Sequence, residues 1–190
     1  MVATLSGRRL ELVLGDITRE RVDAVVTAAN RLVCGGNQAG FGGGVDGAIH
    51  RAAGPELLDE CLALGGCAPG DAVITSAGKL DAKHIIHAVG PIYGDHRGSE
   101  DLLLASAHLR SLELAESHGC ESVAFPAISC GVYKFPVDRA AAIAMGTIVD
   151  YLENARVLRK VRYCLFCEGD YEAFATELEA LARDDHRVAL

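Results

Sequence analysis

Short β-branched runs at residues 10–14, 22–26, 73–75, 84–89, 122–125 and 161–166 alternate with stretches whose apolar residues recur at helical spacing. This alternation constrains the chain more than any other feature. A strand that is followed by a helix and then another strand returns parallel to itself, so the pattern predicts an α/β fold with a mixed, mainly parallel central sheet between helix layers. The spacing predicts a helix over residues 45–53, with Val45, Ala48, Ile49, Ala52 and Ala53 on one face. A second runs over 55–64, opened by Pro55 and stopped by Gly65 and Gly66. A third covers 101–117, with Leu102, Ala105, Leu109 and Leu112 inward and Ser99 as its cap. The fourth, over 136–152, turns Val137, Ala140, Ala141, Ala144 and Ile148 inward, and the last covers 171–182.

The 190 residues contain no repeat, linker or low-complexity stretch, which fits one domain over 1–190 with its core at about 10–182. No apolar run approaches the roughly 20 residues of a membrane span, and the first residues lack a signal-peptide layout. Seven cysteines, an odd number and scattered, read as reduced thiols, so a cytoplasmic location is expected. Eighteen Lys and Arg against 26 Asp and Glu leave a net charge of −8, with no basic run. That argues against duplex nucleic-acid binding. Any anionic ligand must therefore be met by backbone N–H groups rather than by lysines.

The glycines suggest where. Seven of the 21 fall between residues 35 and 47, in a segment that follows the second strand and feeds the helix at Val45. A second small-residue loop, 127–133, follows the strand at 122–125 and precedes the helix at 136. Loop backbone just ahead of a helix N-terminus offers N–H donors and a positive dipole end to phosphate. Tight turns alone are the competing explanation. The nucleotide-triphosphate loop pattern Gly-x-x-x-x-Gly-Lys-Ser/Thr is absent, and Gly42, Gly44 and Gly47 satisfy Gly-x-Gly-x-x-Gly only by starting the helix late.

Asp46 and His50 stand four residues apart on the helix fed by the glycine loop, hence on one face. Asp46 either complements the helix dipole or orients a water beside a bound ligand. Asn30 ends the second strand and points to the same loop, where it can bond ligand hydroxyls or turn backbone. Asp16, at the end of the first strand, either accepts from an exocyclic amine or caps the turn that follows. Phe166 ends the last strand, as a ring for stacking on a base or for the core. Cys164 and Cys167 have paired spacing but no second pair, so no zinc site is expected there. Cys130 has no base beside it in sequence and reads as an inert thiol.

Taken together, several strings resemble the macrodomain family. They are Gly-Asp-Ile-Thr at 15–18, Val-Asp-Ala-Val-Val-Thr-Ala-Ala-Asn at 22–30 and Gly-Gly-Gly-Val-Asp-Gly-Ala-Ile-His-Arg-Ala-Ala-Gly at 42–54. Ile-His-Ala-Val-Gly-Pro-Ile-Tyr at 86–93, Phe-Pro-Ala-Ile-Ser-Cys-Gly-Val-Tyr at 125–133 and Phe-Pro at 135–136 extend the likeness. The Gly-Val-Asp-Gly-x-Ile-His string is similar to the MacroD-type branch. The resemblance implies a three-layer α/β/α sandwich that binds ADP-ribose. It also implies a metal-independent hydrolase, without cofactor, that removes ADP-ribose from acidic side chains of modified proteins and deacetylates O-acetyl-ADP-ribose.

Carried onto this chain, the resemblance implies that Asp16 contacts the adenine amine with Ile17 backbone beside it, and that Phe166 stacks on the ring. Gly42, Gly43, Gly44 and Val45, with Ser129, Cys130, Gly131, Val132 and Tyr133, would wrap the diphosphate and distal ribose. Asn30 and Asp46 would address the distal ribose and the attacking water, with His50 in support. Zinc-using macrodomains carry Cys and His together in the catalytic loop, whereas this loop has Cys34 and no histidine, so no metal is expected.

The chain departs from the family pattern twice. Thr27 replaces the first asparagine of Val-Asn-Ala-Ala-Asn, which bears on how the loop is positioned. The stretch from Asn30 to Asp46 is longer than the compact family form, and residues 31–41 read as a flap, a common use of long loops in compact domains. Besides hydrolase, the sequence is compatible with a non-catalytic ADP-ribose reader module or an ADP-ribose-phosphate phosphatase.

Overall fold

The computed structural model describes residues 1–33 and 42–190. Seven strands form one sheet: β1 (Val2–Leu5), β2 (Arg8–Leu14), β3 (Ala24–Ala28), β4 (Ala72–Ser76), β5 (His84–Ala88), β6 (Ser122–Phe125) and β7 (Lys160–Leu165). Their spatial order is β1-β2-β7-β6-β3-β5-β4. The five inner strands run parallel, and β1 and β4 close the two edges antiparallel. The helices are α1 (Gly44–Ala53), α2 (Glu56–Leu64), α3 (Glu100–Ser117), α4 (Val137–Asn154) and α5 (Glu168–Asp184). Helices α1 and α2 cover the sheet face bearing Val25, Ile85 and Ala124, and α3, α4 and α5 cover the opposite face. The three-layer α/β/α arrangement with a mixed, mainly parallel sheet is the one expected.

Strand β3 starts two residues later than its β-branched run suggests. Asp23 explains the shift, because it works as a staple at the amino ends of the strands. Its Oδ2 accepts from the backbone N–H groups of Glu121 and Ser122 at 2.9 and 3.0 Å, and its carbonyl accepts from Lys83 and His84. Strand β1, not expected from sequence, pairs with β2 and buries only two of its four residues, Ala3 and Leu5. Four alternating residues at an edge give little signal.

The phase of α3 differs from the expectation. Leu102 and Leu109 are exposed, and Leu104, Ala107, His108, Ser111, Leu112 and Ala115 are buried. Two polar residues lie on the inner face because each is satisfied within the fold. His108 Nδ1–H donates to the Leu104 carbonyl at 2.8 Å, and the Ser111 hydroxyl donates to that of Ala107 at 2.7 Å. With Nδ1 protonated, His108 Nε2 accepts from the Tyr163 hydroxyl at 3.1 Å, and the imidazole lies near-parallel to both Tyr163 and Phe125 in a three-ring cluster. Ser99 does not cap α3 through its side chain. The Glu100 carboxylate instead accepts from the His96 N–H at 2.8 Å.

Burial pushes the His108 imidazole down to about 4 and that of His87, in β5, to about 3, against an ordinary 6.5. In each case the folded value lies below the unfolded one, so the stabilisation is whole above pH 6.5 and is lost as pH falls towards the folded value. Between pH 6.5 and 5 each buried imidazole is expected to remove on the order of 2 kcal/mol. Carboxylates such as Asp23 and Glu116, held below their ordinary values, act only at lower pH. Urea unfolding at pH 7, 6 and 5 checks this. His108→Gln should lower stability throughout yet flatten the fall between pH 6.5 and 5.

Candidate active site

Because the five inner strands are parallel, their carboxyl ends share one rim, where ligands sit in open α/β sheets. Reading the rim in spatial order gives Gly15 and Asp16 after β2, Phe166 after β7, residues 127–133 after β6, Asn30 after β3 and Gly90 after β5. From β2 to β3 is three strand steps, about 14 Å at the usual inter-strand spacing. The structure therefore lines up, along one edge, residues that are far apart in sequence.

At the β2 end, the Gly15 N–H donates to the Leu165 carbonyl at 2.9 Å, so Asp16 and Phe166 emerge side by side. Asp16 caps the 3-10 turn Ile17–Arg19. Its Oδ1 accepts from the Thr18 N–H at 3.0 Å and the Thr18 hydroxyl at 2.7 Å, and these bonds hold its carboxyl below the usual range. The capping reading of Asp16 is thus realised, while its side chain stays part exposed, with Oδ2 3.8 Å from Arg19. The Ile17 side chain is buried, so only its backbone can face a ligand. Phe166 is 84% exposed, which rules out core packing as its role. A ring left in water beside a carboxylate is suited to stacking.

In the middle of the rim, Ser129 takes φ +65° and its carbonyl accepts from the Phe135 N–H at 3.0 Å. The Gly131 carbonyl accepts from Lys134, and that of Tyr133 accepts from the Tyr93 N–H, both within 3.0 Å. This fixes a tight loop whose tip, Gly131 and Val132, is exposed. Gly90 lies directly beneath. A Cβ there would meet the Ser129 hydroxyl oxygen at 2.1 Å and Ile128 Cγ2 at 2.6 Å, so no larger residue fits without moving the loop. The Cys130 thiol lies against the Ile128 carbonyl at 3.5 Å, and burial, with Asp170 nearby, pushes it up to about 12. A thiol in that state is not a nucleophile at neutral pH.

The first loop meets α1 at Gly43, an extended N-cap that makes no side-chain cap hydrogen bond. Gly42, Gly43, Gly44 and Val45 lead into α1. Residues 34–41, most of the expected flap and Cys34 with it, lie outside the described residues. The Arg51 guanidinium holds the Gly42 carbonyl at 3.0 Å. Gly47 packs so closely under Gly42 that a Cβ would lie 1.7 Å from its carbonyl oxygen.

Asp46, in the first turn of α1, is 5% exposed. Its Oδ1 accepts from the Thr27 hydroxyl at 2.9 Å, and Thr27 is itself completely buried in β3. His50 sits one turn deeper, with Nε2 4.0 Å from the same oxygen. That is too long for a hydrogen bond, and burial lowers the imidazole's pKa and keeps it neutral, so the pair is not an ion pair. Burial raises the Tyr133 phenol, and the Asp46 charge adds to this. The Asn30 side-chain oxygen accepts from the Leu32 N–H at 2.9 Å, fixing the turn that leaves β3.

Behind Asp46 lies a polar wall that sequence reasoning did not find. His87 stands in register with Thr27 on the neighbouring strand. The Thr75 hydroxyl donates to the Ser76 carbonyl at 3.1 Å and so accepts from His87 Nε2–H at 2.9 Å. Cys61 Sγ lies 3.6 Å from the same nitrogen. Among the described residues, His50, Cys61 and His87 are the set whose ligand atoms, all within 4.8 Å of one another, have the chemistry for a metal ion. With Nε2 protonated towards Thr75, however, His87 is arranged as a hydrogen-bonding group. Every residue of β5 after His84 is buried, and a histidine inside such an apolar strand gives no hint of its partners.

A search against family models matches residues 26–144 to the Macro domain. A macro domain-containing protein of Caldanaerobacter subterraneus is 47% identical over 177 residues, covering 91% of this chain and 97% of that protein. A Citrobacter rodentium protein named O-acetyl-ADP-ribose deacetylase is 52% identical over 164 residues, covering 84% and 89%. Among solved structures, an Oceanobacillus iheyensis macrodomain with ADP superposes with a TM-score of 0.90 at 40% identity, covering 97% of each chain. A Trypanosoma brucei macrodomain in complex with ADP-ribose gives 0.78 at 35%, covering 88% of this chain and 68% of that one. With sequence, sheet order and rim in agreement, the chain belongs to the macro domain family.

Proposed function

We propose that this chain binds ADP-ribose along the rim and hydrolyses esters at its distal ribose. It would deacetylate O-acetyl-ADP-ribose and remove mono-ADP-ribose from acidic side chains of proteins, acting as one domain in the cytoplasm. The observation that carries this reading is a buried carboxylate, Asp46, fixed by Thr27 at the helix N-terminus that the glycine loop feeds. A site made only to bind an anion gains nothing from a carboxylate held there. The relative named O-acetyl-ADP-ribose deacetylase and the relative holding ADP-ribose support the same reading.

Under this proposal the adenine lies between Asp16 and Phe166, with Ile17 backbone beside the ring edge. The diphosphate lies along the backbone of Gly42, Gly43, Gly44 and Val45 and of Ser129, Cys130, Gly131, Val132 and Tyr133. Asn30 and Asp46 address the distal ribose and the water, and His50, buried beneath Asp46, backs the carboxylate. In deacetylation, water adds to the acetyl carbonyl carbon and gives its proton to Asp46 or to a substrate phosphate oxygen. The bond to the ribose oxygen then breaks, that oxygen takes a proton, and acetate and ADP-ribose leave.

The test uses the wild-type chain with O-acetyl-ADP-ribose and, separately, with a glutamate-linked ADP-ribosylated protein. Release of ADP-ribose from each is expected. Calorimetric binding of ADP-ribose with no release from either would overturn the hydrolase reading in favour of a reader module. Phosphate release from an ADP-ribose phosphate ester, without ester hydrolysis, would favour a phosphatase.

A further inference from the structure

The Thr27–Asp46 contact joins a residue in the centre of the sheet to the carboxylate at the loop. Thr27 lies on β3, buried on both sides, with no exposed surface of its own. It therefore cannot touch a ligand. Its β-branched side chain is stiff at χ1, and its backbone is held in register against His87 of β5. The hydroxyl is thus a donor fixed to an inner strand of the sheet. Asp46 has two torsions and sits in the first turn of α1, directly after the glycine loop. A charge-assisted bond of 2.9 Å from a rigid donor determines where that carboxylate points.

We propose that Thr27 is a positioning residue for ester hydrolysis: its hydroxyl orients the Asp46 carboxylate and so governs the chemical step without contributing to ligand binding. The inference rests on the hydrolase reading above. It also gives the asparagine-to-threonine departure in the strand motif a function. A hydroxyl is too short to reach the ligand from this depth, but it reaches α1. A displacement of about an ångström at a catalytic group can cost roughly a hundredfold in rate, so one hydrogen bond is enough to matter.

Thr27→Val removes the hydroxyl and keeps the shape, and Thr27→Ser restores the donor. With O-acetyl-ADP-ribose as substrate, Thr27→Val should lower kcat by about tenfold to a hundredfold. KM and the calorimetric affinity for ADP-ribose should stay within about threefold, and Thr27→Ser should recover most of the rate. In an Asp46→Ala background, Thr27→Val should cost nothing further, because the residue acts only through that carboxylate. If Thr27→Val does not fold, Thr27→Cys, a weak donor of similar size, carries the same comparison.

An unchanged kcat would overturn the proposal, as would equal losses in rate and affinity or a further loss in the Asp46→Ala background. Each of these arises in a chain whose wild type turns over, so it leaves the hydrolase reading standing. A wild type that binds ADP-ribose without turnover overturns both.

Discussion

Asp46→Ala is expected to slow hydrolysis of O-acetyl-ADP-ribose by about a hundredfold to ten-thousandfold, the range over which a positioned acid–base group contributes. Affinity for ADP-ribose should change by no more than a few-fold, and the direction is informative. The carboxylate stands at a helix N-terminus that under the proposal faces a diphosphate, so removing its negative charge relieves repulsion and should tighten binding if it changes it at all. Alanine also strips the Thr27 hydroxyl of its acceptor inside the core, at about 1–3 kcal/mol of stability. Asp46→Asn separates these effects. It offers Thr27 an oxygen of the same geometry and withdraws the charge, so it should fold like the wild type and still lose the rate. Paired kinetics and calorimetry on the two variants check the argument. A rate within threefold of wild type in both would remove Asp46 from the chemistry.

Gly47→Ala should weaken ADP-ribose binding through backbone alone. Helix propensity by itself would reward alanine inside α1 by about 1 kcal/mol. The close approach decides otherwise, because the new Cβ would stand 1.7 Å from the Gly42 carbonyl oxygen and 2.5 Å from its carbon, neither of which can swing aside as a side chain can. Either the loop lifts away from α1 or the helix shifts, and the donors proposed for the diphosphate are displaced with it. The expected result is a loss of at least about tenfold in ADP-ribose affinity, with about 1–3 kcal/mol of stability lost to the clash. Gly146→Ala in α4, where a Cβ meets nothing within 4 Å, is the control. It should raise stability slightly and leave binding untouched.

What was legible in the sequence follows from the range of the forces involved. Strand–helix alternation and helix stops such as Gly65 are local properties, and the structure keeps them. The two loops were legible because a loop between a strand end and a helix start shows itself by its small residues. Asp46 and His50 were legible because helical spacing places them on one face. Thr27 and Asp46 are 19 residues apart and meet only because α1 folds back over β3, so no local pattern announces the bond. The same holds for Cys61, Thr75 and His87, which three separate elements bring together. The α3 phase misled for another reason. Its buried face includes a histidine and a serine made tolerable by hydrogen bonds to the helix's own carbonyls, while Leu102 and Leu109 stay in water.

The strand order has an evolutionary consequence. The end of the rim proposed for the adenine is carried by β2 and β7, which are hydrogen-bonded to each other along their length, and the end proposed for the chemistry by β3 and α1. Between them stand β6 and its loop, so the two ends share no strand pairing. Contact between the ends runs instead through α1, whose Ile49 and Ala53 pack with Ile17 in one hydrophobic cluster. Under the proposed function, a descendant that exchanges the reaction at the far ribose and keeps its grip on the nucleotide would have to leave that cluster intact.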